Sequence, residues 1–384
     1  MMVTRVVAGL LLFPVSLIAQ TSSQTDSATA AAASSIPQFD FSGILYANYQ
    51  YRGDAGPNKS ANKFDIERVY LTFRVPAGDR LSVRVTTDVF QQTASGNDSY
   101  YRGWTVRAKY AYLQYNYLSG PGWQSSARIG LLQTVFIEHD EQFWPRWISP
   151  SPTDRAGYFS SADAGIGNTV TLPRKLGQIY STVTNGPGYT SRETDRFKDF
   201  ATRVTITPWA KNKSSQLAGV ALSAWAYKGA TASRFVEGGA GQAGRIGSAL
   251  DRDRWGVHIG NLHPRFTFGA EYATRREEGE LGNNTAASPR EVTDSTGTLW
   301  SVYGVVRPLK STTAAPHPLS LIARYDRVTT NANNDNRYDV LISGVSWDLS
   351  NKVSAAVDYQ ATEPKRGNTV ARTHTWFAHF VARF

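Results

Sequence analysis

The stretch that most narrows what this chain can fold into is its last one, Thr375 to Phe384, TWFAHFVARF. Counted back by twos, Phe384, Ala382, Phe380, Ala378 and Trp376 are all apolar, while Arg383, Val381, His379, Phe377 and Thr375 are mixed. A period of two with one apolar face describes a strand between two different solvents. The strand also ends the chain on a bare aromatic residue. The edge strand of a soluble sandwich gains nothing from such an ending. A membrane barrel does, because its last strand must close against its first. Trp376, Phe380 and Phe384 would then be the closing signal read by a barrel-assembly machinery.

The opposite end is different in kind. Met1 to Arg5 carries one positive charge, Val6 to Ile18 is an apolar run too short to span a bilayer, and small Ala19 follows it. That pattern predicts a secretory signal peptide over 1–19 rather than a transmembrane helix. Residues 20–37 are mostly Ser, Thr, Ala and Gln with nothing to bury, and read as a flexible periplasmic lead-in. Residues 38–384 remain as the folded body. The chain has no cysteine, so an exported body must be held by something other than disulfides, and a closed ladder of backbone hydrogen bonds would serve. No apolar run of about eighteen or more residues follows the leader, which excludes a helical inner-membrane protein but not a barrel, whose strands show only alternation. Aromatic residues make up 12%, enough for interfacial girdles, and the net charge of +10 suits anionic solutes or an anionic lipid surface. No basic run interleaved with aromatics points to nucleic acid.

The body alternates strands with turns. Phe39 to Tyr51 places Phe39, Phe41, Gly43, Leu45, Ala47, Tyr49 and Tyr51 on one face, and Asp40, Ser42, Ile44, Tyr46, Asn48 and Gln50 on the other. Phe64 to Val75 turns through Pro76-Ala77-Gly78-Asp79 into Leu81 to Phe90. The beat continues through Trp104–Leu118, Trp123–Thr134, Ala162–Leu172, Gln178–Thr184, Lys198–Pro208 and Leu217–Tyr227. After these come Arg254–Leu262, Phe266–Arg275, Thr298–Arg307, Leu319–Thr329, Arg337–Leu349, Val353–Ala361 and Arg372–Phe384. This predicts an all-β transmembrane antiparallel β-barrel of about sixteen strands, with short periplasmic turns after even strands and longer extracellular loops after odd ones. An even count puts both termini on the periplasmic side of a bacterial outer membrane.

Several segments, in order along the chain, resemble the phosphate-selective porin O and P family of outer-membrane channels. Phe64-Asp65-Ile66-Glu67-Arg68-Val69-Tyr70-Leu71 looks like the family's first down-strand. Residues 130–138, Gly-Leu-Leu-Gln-Thr-Val-Phe-Ile-Glu, are similar to its Gly-Gln-Phe-Lys-x-Pro-Phe-x-x-Glu segment, with Val135 where Pro is usual. Thr184-Asn185-Gly186 looks like its strand-ending Asn-Gly. Ala270-Glu271-Tyr272 and Ala323-Arg324-Tyr325-Asp326 resemble two later signatures, and Gly344-Val345-Ser346-Trp347 through Tyr359 its penultimate hairpin. The resemblance implies a sixteen-stranded trimeric pore with its third loop folded into the lumen. It does not establish phosphate as the solute.

The polar phase of the strands offers candidate pore-lining cations: Arg68, Arg84, Arg107, Lys109, Arg128, Arg203, Arg324 and Arg383. Against them stand Asp40, Asp88, Glu271, Asp326 and Asp358. Rings of Arg or Lys favour anions by replacing the hydration an anion loses in a narrow place. Arg and acid on adjacent strands also pair and merely stiffen the wall. Arg84, Arg107, Lys109 and Arg128 are expected to form one basic patch. Val135 to Arg155 is long and irregular, and such segments in a compact domain are usually functional. Its Glu138, His139, Asp140 and Glu141, followed by Trp144, Arg146 and Trp147, read as a constriction loop whose acids face the wall arginines while its aromatics wedge it in place. A metal site is disfavoured because consecutive residues cannot all face one ion, and a surface cap is the plainer alternative.

Gly239 to Gly244 fits G-x-G-x-x-G but has no feeding strand or following helix, so it reads as a loop. The six histidines show no zinc spacing. Two function classes remain. One is a passive diffusion channel for small hydrophilic solutes with weak anion preference, without cofactor, working as a homotrimer among outer-membrane lipid and lipopolysaccharide. The other is a non-channel barrel, an enzyme or surface scaffold. A large strand count leaves an open lumen, which favours the channel over an enzyme.

Overall fold

The computed structural model describes residues 39–54, 59–91, 103–233, 249–282, 291–365, 368 and 370–384. The leader, the lead-in and the glycine-rich 239–244 lie outside them. Sixteen strands close into one antiparallel barrel, each bonded to its neighbours in sequence and the last to the first. They are β1 Asp40–Arg52, β2 Asn62–Pro76, β3 Leu81–Gln91, β4 Trp104–Ser119, β5 Gln124–Gln133, β6 Ala162–Thr171, β7 Gly177–Thr184 and β8 Asp199–Ile206. They continue as β9 Val220–Ala232, β10 Ala249–His263, β11 Phe266–Leu281, β12 Glu291–Val306, β13 Ser320–Asn331, β14 Asn336–Asp348, β15 Val353–Pro364 and β16 Thr373–Arg383. Closure runs in register from Ile44 against Arg383 to Arg52 against Thr375. A closed ladder leaves no edge with unpaired backbone groups.

Outward side chains are apolar and exposed, among them Phe41, Phe64, Trp104, Ile129, Ile166, Phe200, Trp255, Trp300, Val302, Leu341, Trp376, Phe380 and Phe384. Buried polar groups such as Asp88, Arg203, His258, Glu271, Arg324, Asp326, Asp358 and His379 occupy the other phase. No described helix is long and apolar enough to cross a membrane. Apolar outside and polar inside is the arrangement a barrel needs in a bilayer.

Three expectations need correction. The strict order of short turns after even strands fails at 207–219 and 307–319, both long and both at the end that also holds the 77–80 and 349–352 turns. The first is a run of successive backbone turns, from Ala210 N to Thr207 O through Ala218 N to Ser215 O, anchored by Asn261 Nδ2 on Gln216 O. Closure requires only that adjacent strands be joined, so either rim accepts a long connection. The connection after β13 is, conversely, only 332–335. Next, β10, β11 and β12 run well past the expected ends, because their far portions carry charges such as Asp253, Arg276, Glu278 and Asp294 outward and show no apolar alternation there. Finally, the alternation slips. In β2, Arg68 pairs with Tyr46 and Ile66 with Ala47, leaving Glu67 as an extra residue. In β4, Tyr110 pairs with Thr86 and Ala108 with Thr87, leaving Lys109 extra. Each bulge turns two successive side chains inward, Glu67 with Arg68 and Lys109 with Tyr110.

Candidate functional site: the segment folded into the barrel

Between β5 and β6 the chain leaves the wall and fills part of the interior. Residues 134–161 contain two single-turn helices, α1 Ile137–Asp140 and α2 Pro152–Arg155, the second started by a proline at its first position. The segment is folded on itself: Trp144 Nε1 donates to Ser149 O at 2.9 Å and Tyr158 N to Thr153 O at 2.9 Å. Its apolar side, with Val135, Phe136, Ile137, Phe143, Trp144, Ile148, Tyr158 and Phe159, is buried against inward Trp225, Leu299, Tyr303, Ile322, Val340 and Ile342. Two wall glycines shape this seat. A Cβ on Gly260 would collide with the Phe143 ring, and one on Gly269 with the Tyr303 ring. Missing side chains there let aromatic rings lie flat on the wall.

Polar anchors on the same side reach six strands. Tyr303 Oη donates to Asp140 Oδ1 at 2.5 Å, and His258 Nε2 lies 3.1 Å from the same hydroxyl. Since that hydroxyl hydrogen goes to Asp140, His258 Nε2 is the donor in the second contact. His139 Nε2 meets Ser223 Oγ at 2.9 Å, Tyr158 Oη donates to Ala273 O at 3.3 Å, and Arg155 Nη2 to Thr362 Oγ1 at 3.1 Å. Gln360 donates to Ile148 O at 2.9 Å, and Arg324 Nη1 to Pro150 O at 2.5 Å. Burial pushes the Asp140 carboxyl up to about 6, and burial with Arg203 and His258 nearby holds His139 well below the usual imidazole range.

The other side of the segment faces β2 to β4. Glu138 on α1 and Glu141 just after it lie three apart and share this face, whereas His139 and Asp140 share the seat. Arg84 Nη1 is 3.5 Å from Glu138 Oε1. Arg146 Nη1 donates to Glu67 Oε1 at 2.8 Å, and its Nε is 3.6 Å from Glu141. Glu67 reaches this contact because of the β2 bulge. Burial pushes Glu141 up to about 7, against the pull of Lys109 and Arg146. Trp147 meets His379 of β16 edge to face, with ring centroids 6.2 Å apart.

Two polar cavities flank the segment. One, of about 180 Å³, is lined by Arg68, Tyr70, Arg107, Lys109, Arg146, Asp154 and Tyr189 among others. The second, of about 400 Å³ and nearer the 77–80 turn, is lined by Asp40, Arg74, Arg84, Tyr112, Gln114, Arg128, Gln133 and Glu138. The four cations expected to form one patch are therefore split, Arg84 and Arg128 on one side of the segment and Arg107 and Lys109 on the other. In the first cavity fully buried Asp88 accepts from Arg68 at 3.3 Å, Arg107 at 3.0 Å and Tyr189 at 3.1 Å. Lys109 donates to Tyr70 Oη at 3.1 Å.

Two more expected lining residues belong elsewhere. Arg324 faces inward but is wholly covered: it is paired with Asp326 at 2.6 Å, and Trp144 lies over it at 5.0 Å. Arg203 is buried against Gln178. Both are wall residues under or beside the segment, hidden from the open interior. Trp144 has no exposed surface. The acids of α1 do not all face the arginines, because one helical turn points them in different directions. Glu67, Tyr110 and Tyr189 went unseen by alternation, the first two because a bulge carries no compositional mark. Among the described residues no group of His, Cys, Asp and Glu is arranged to hold a metal ion.

Solved structures of similar fold include an anion-selective porin from Comamonas acidovorans, with a TM-score of 0.61 and 12% identity, covering 90% of this chain and 99% of that one. Salmonella typhi OmpF in complex with daunomycin gives 0.60 and 12%, covering 91% and 98%. OmpT, an outer-membrane protein of Vibrio cholerae, gives 0.56 and 11%, covering 90% and 97%. At these identities the likeness establishes the fold alone. No family model matches the sequence and no curated protein is significantly similar to it, so the resemblance to the phosphate-selective family rests on the quoted segments only.

Proposed function

We propose that this chain is a bacterial outer-membrane diffusion channel for small hydrophilic solutes, narrowed by residues 134–161 and weakly selective for anions. The observation that carries the reading is the segment's two-sided chemistry. Its apolar side is fastened to β9–β15, while Glu138, Glu141, Arg146 and Asp154 stand opposite a wall rich in Arg and Tyr. A lumen that is half filled and half polar suits a constricted passage. The similar fold of a protein described as an anion-selective porin agrees with this. A homotrimer is proposed from the family resemblance, and one of the OmpT structures is described as a trimer form.

A dedicated phosphate site is not favoured. Such a site needs cations free on all sides, and here Arg68 and Arg107 share Asp88, Arg146 holds Glu67, and Arg84 faces Glu138. Planar-bilayer conductance with reversal potentials in a salt gradient tests the reading. Discrete steps with a modest anionic reversal potential support it. No conductance from correctly folded protein would favour the non-channel barrel, and block by micromolar phosphate would restore the family's named solute.

A further inference from the structure

On the outside of the wall, away from the lumen, lies a cavity of about 310 Å³ at the far ends of β13–β16, opposite the end that holds the 349–352 turn. Its lining changes with depth. Toward the middle of the wall it is Tyr325, Leu341, Ala361 and Tyr359, with the exposed rings of Trp376 and the side chain of Val357 beside it. Toward the rim it is charged: Asp339, Glu363, Lys365 and His374, with Arg327 and Arg372 adjoining.

The charges are arranged as a lattice open to solvent. Arg327 Nε is 3.3 Å from Asp339, Arg372 Nε 2.9 Å from Glu363, and His374 Nε2 2.7 Å from Glu363 Oε1. Tyr359 Oη also bonds His374 Nδ1. Arg327 and Arg372 remain about half exposed or more, at 47% and 64%, and Lys365 makes no ion pair among the described residues. Guanidinium groups with a free edge can take a second anion without releasing the first. The neighbouring arc has the opposite balance. At the same end of β9–β12, Lys228 and Arg276 stand against Asp251, Asp253, Glu278 and Asp294. Among the described residues, the outer rim of β13–β16, where the cavity lies, thus carries a positive excess that β9–β12 lack.

From this geometry we infer that the cavity binds the phosphorylated headgroup of an outer-leaflet glycolipid, with an acyl chain along Leu341, Val357 and the aromatic rings below. An amphipathic ligand with phosphate at one end matches a pocket whose polarity changes in one direction. A free anion would have no use for the apolar floor, and an uncharged lipid none for Arg327, Lys365 and Arg372. The inference rests on the outer-membrane reading above, but the pocket faces away from the lumen, so conductance of the same samples reports on that reading separately.

The test uses the full chain in detergent, with bisphosphorylated lipid A and its dephosphorylated form as probes, read by native mass spectrometry. Wild type should retain lipid A at least about tenfold more tightly than the dephosphorylated form, and Lys365→Glu with Arg372→Glu should lose that preference, since each basic residue near a charged lipid contributes on the order of 1 kcal/mol. Heat-modifiable migration of the variants confirms folding, and Lys365→Gln offers a milder change that should weaken retention partway. Equal retention of both lipids by wild type, unchanged retention by the folded double variant, or displacement of lipid A by millimolar inorganic phosphate would each overturn the assignment.

Discussion

The ring of Phe384 lies over the bare α-carbon of Gly43, where a Cβ would collide with its Cε2 and Cζ. The same two residues exchange backbone hydrogen bonds, Gly43 N to Phe384 O at 2.7 Å and Phe384 N to Gly43 O at 3.0 Å. The last residue of the chain therefore completes the seam by backbone and side chain together, in the manner of an aromatic covering a strand glycine.

Deleting Phe384 or changing it to Asp should leave the precursor exported and the barrel unassembled. Gly43→Leu should act more mildly, since overpacking of this kind costs about 1–3 kcal/mol. Heat-modifiable, protease-resistant barrel in the outer membrane is the readout. Wild-type yield from the Phe384 deletion would remove the ring from the closing signal.

The contrast between seam and lumen shows what a sequence displays. Alternation in β16 and β3 was plain because one face meets apolar surroundings along the whole strand, and Val135–Arg155 stood out through its length and aromatics. The inward turn of Glu67 and Tyr110 was invisible, since one inserted residue changes no composition. So was the seat for Phe143, which depends on Gly260 lying in another strand. The far ends of β10–β12 were missed for a physical reason as well: a strand that has left the apolar layer loses its alternation but keeps its ladder.

Trp144 should be the main fastener of the inserted segment. It is fully buried, lies over Arg324 at 5.0 Å and meets Tyr303 edge to face at 5.6 Å. Trp144→Ala should weaken docking by about 3–5 kcal/mol. The wall ladder does not depend on it, so heat-modifiable migration should persist while residues 134–161 become cleavable by protease and current noise rises. A segment that stays protected would shift the anchoring to the Asp140–Tyr303 bond.

Arg146 ties the segment to the opposite wall through Glu67 at 2.8 Å. Arg146→Ala removes that bridge and a bulky side chain from the first cavity, so conductance should rise. Glu67→Gln should produce a smaller rise in the same direction, because the amide can still accept a hydrogen bond. Unchanged conductance in both variants would place the narrowest point elsewhere.

Glu141 should give the proposed passage a pH dependence. Its carboxyl is pushed up to about 7 by burial, above the ordinary 4.5. A raised carboxyl favours the docked segment most with the proton on, so its contribution is full below about 4.5 and is lost as the pH rises through about 7. The charge follows the same course. Below pH 7 Glu141 is neutral and the cavity beside Lys109 and Arg146 is more positive, so anion preference should strengthen as pH falls from 8 to 6. Glu141→Gln should hold the reversal potential at its low-pH value across that range. An unaltered inflection in this variant would assign the titration to another group.

Arg128 is where ion preference should be most sensitive. Several other cations of the lumen stand against acids: Arg68 and Arg107 share Asp88, Glu67 takes Arg146 and Glu138 faces Arg84, while Lys109 is buried against Tyr70. Arg128 instead donates to Gln114 Oε1 at 2.8 Å and to Gln133 Oε1 at 3.4 Å, both neutral, and lies beside the rings of Tyr112 and Tyr180. Among the described residues it forms no ion pair, so its charge reaches the second cavity uncancelled. Arg107→Gln should move the reversal potential less than Arg128→Gln, because Arg107 sits against Asp88 and between the Phe90 and Tyr189 rings whereas Arg128 has no acid paired with it. Arg128→Gln should move the reversal potential toward cations with conductance retained, and it should account for most of the shift seen when Arg84, Arg107, Lys109 and Arg128 are neutralised together. Paired charges are screened at short range whereas an unpaired one acts over about a Debye length, roughly 8–10 Å at physiological salt. The shift should accordingly shrink when the experiment is repeated at 1 M salt. If Arg128→Gln leaves the reversal potential in place while Arg107→Gln moves it, the selective charge lies on the Asp88 side of the segment.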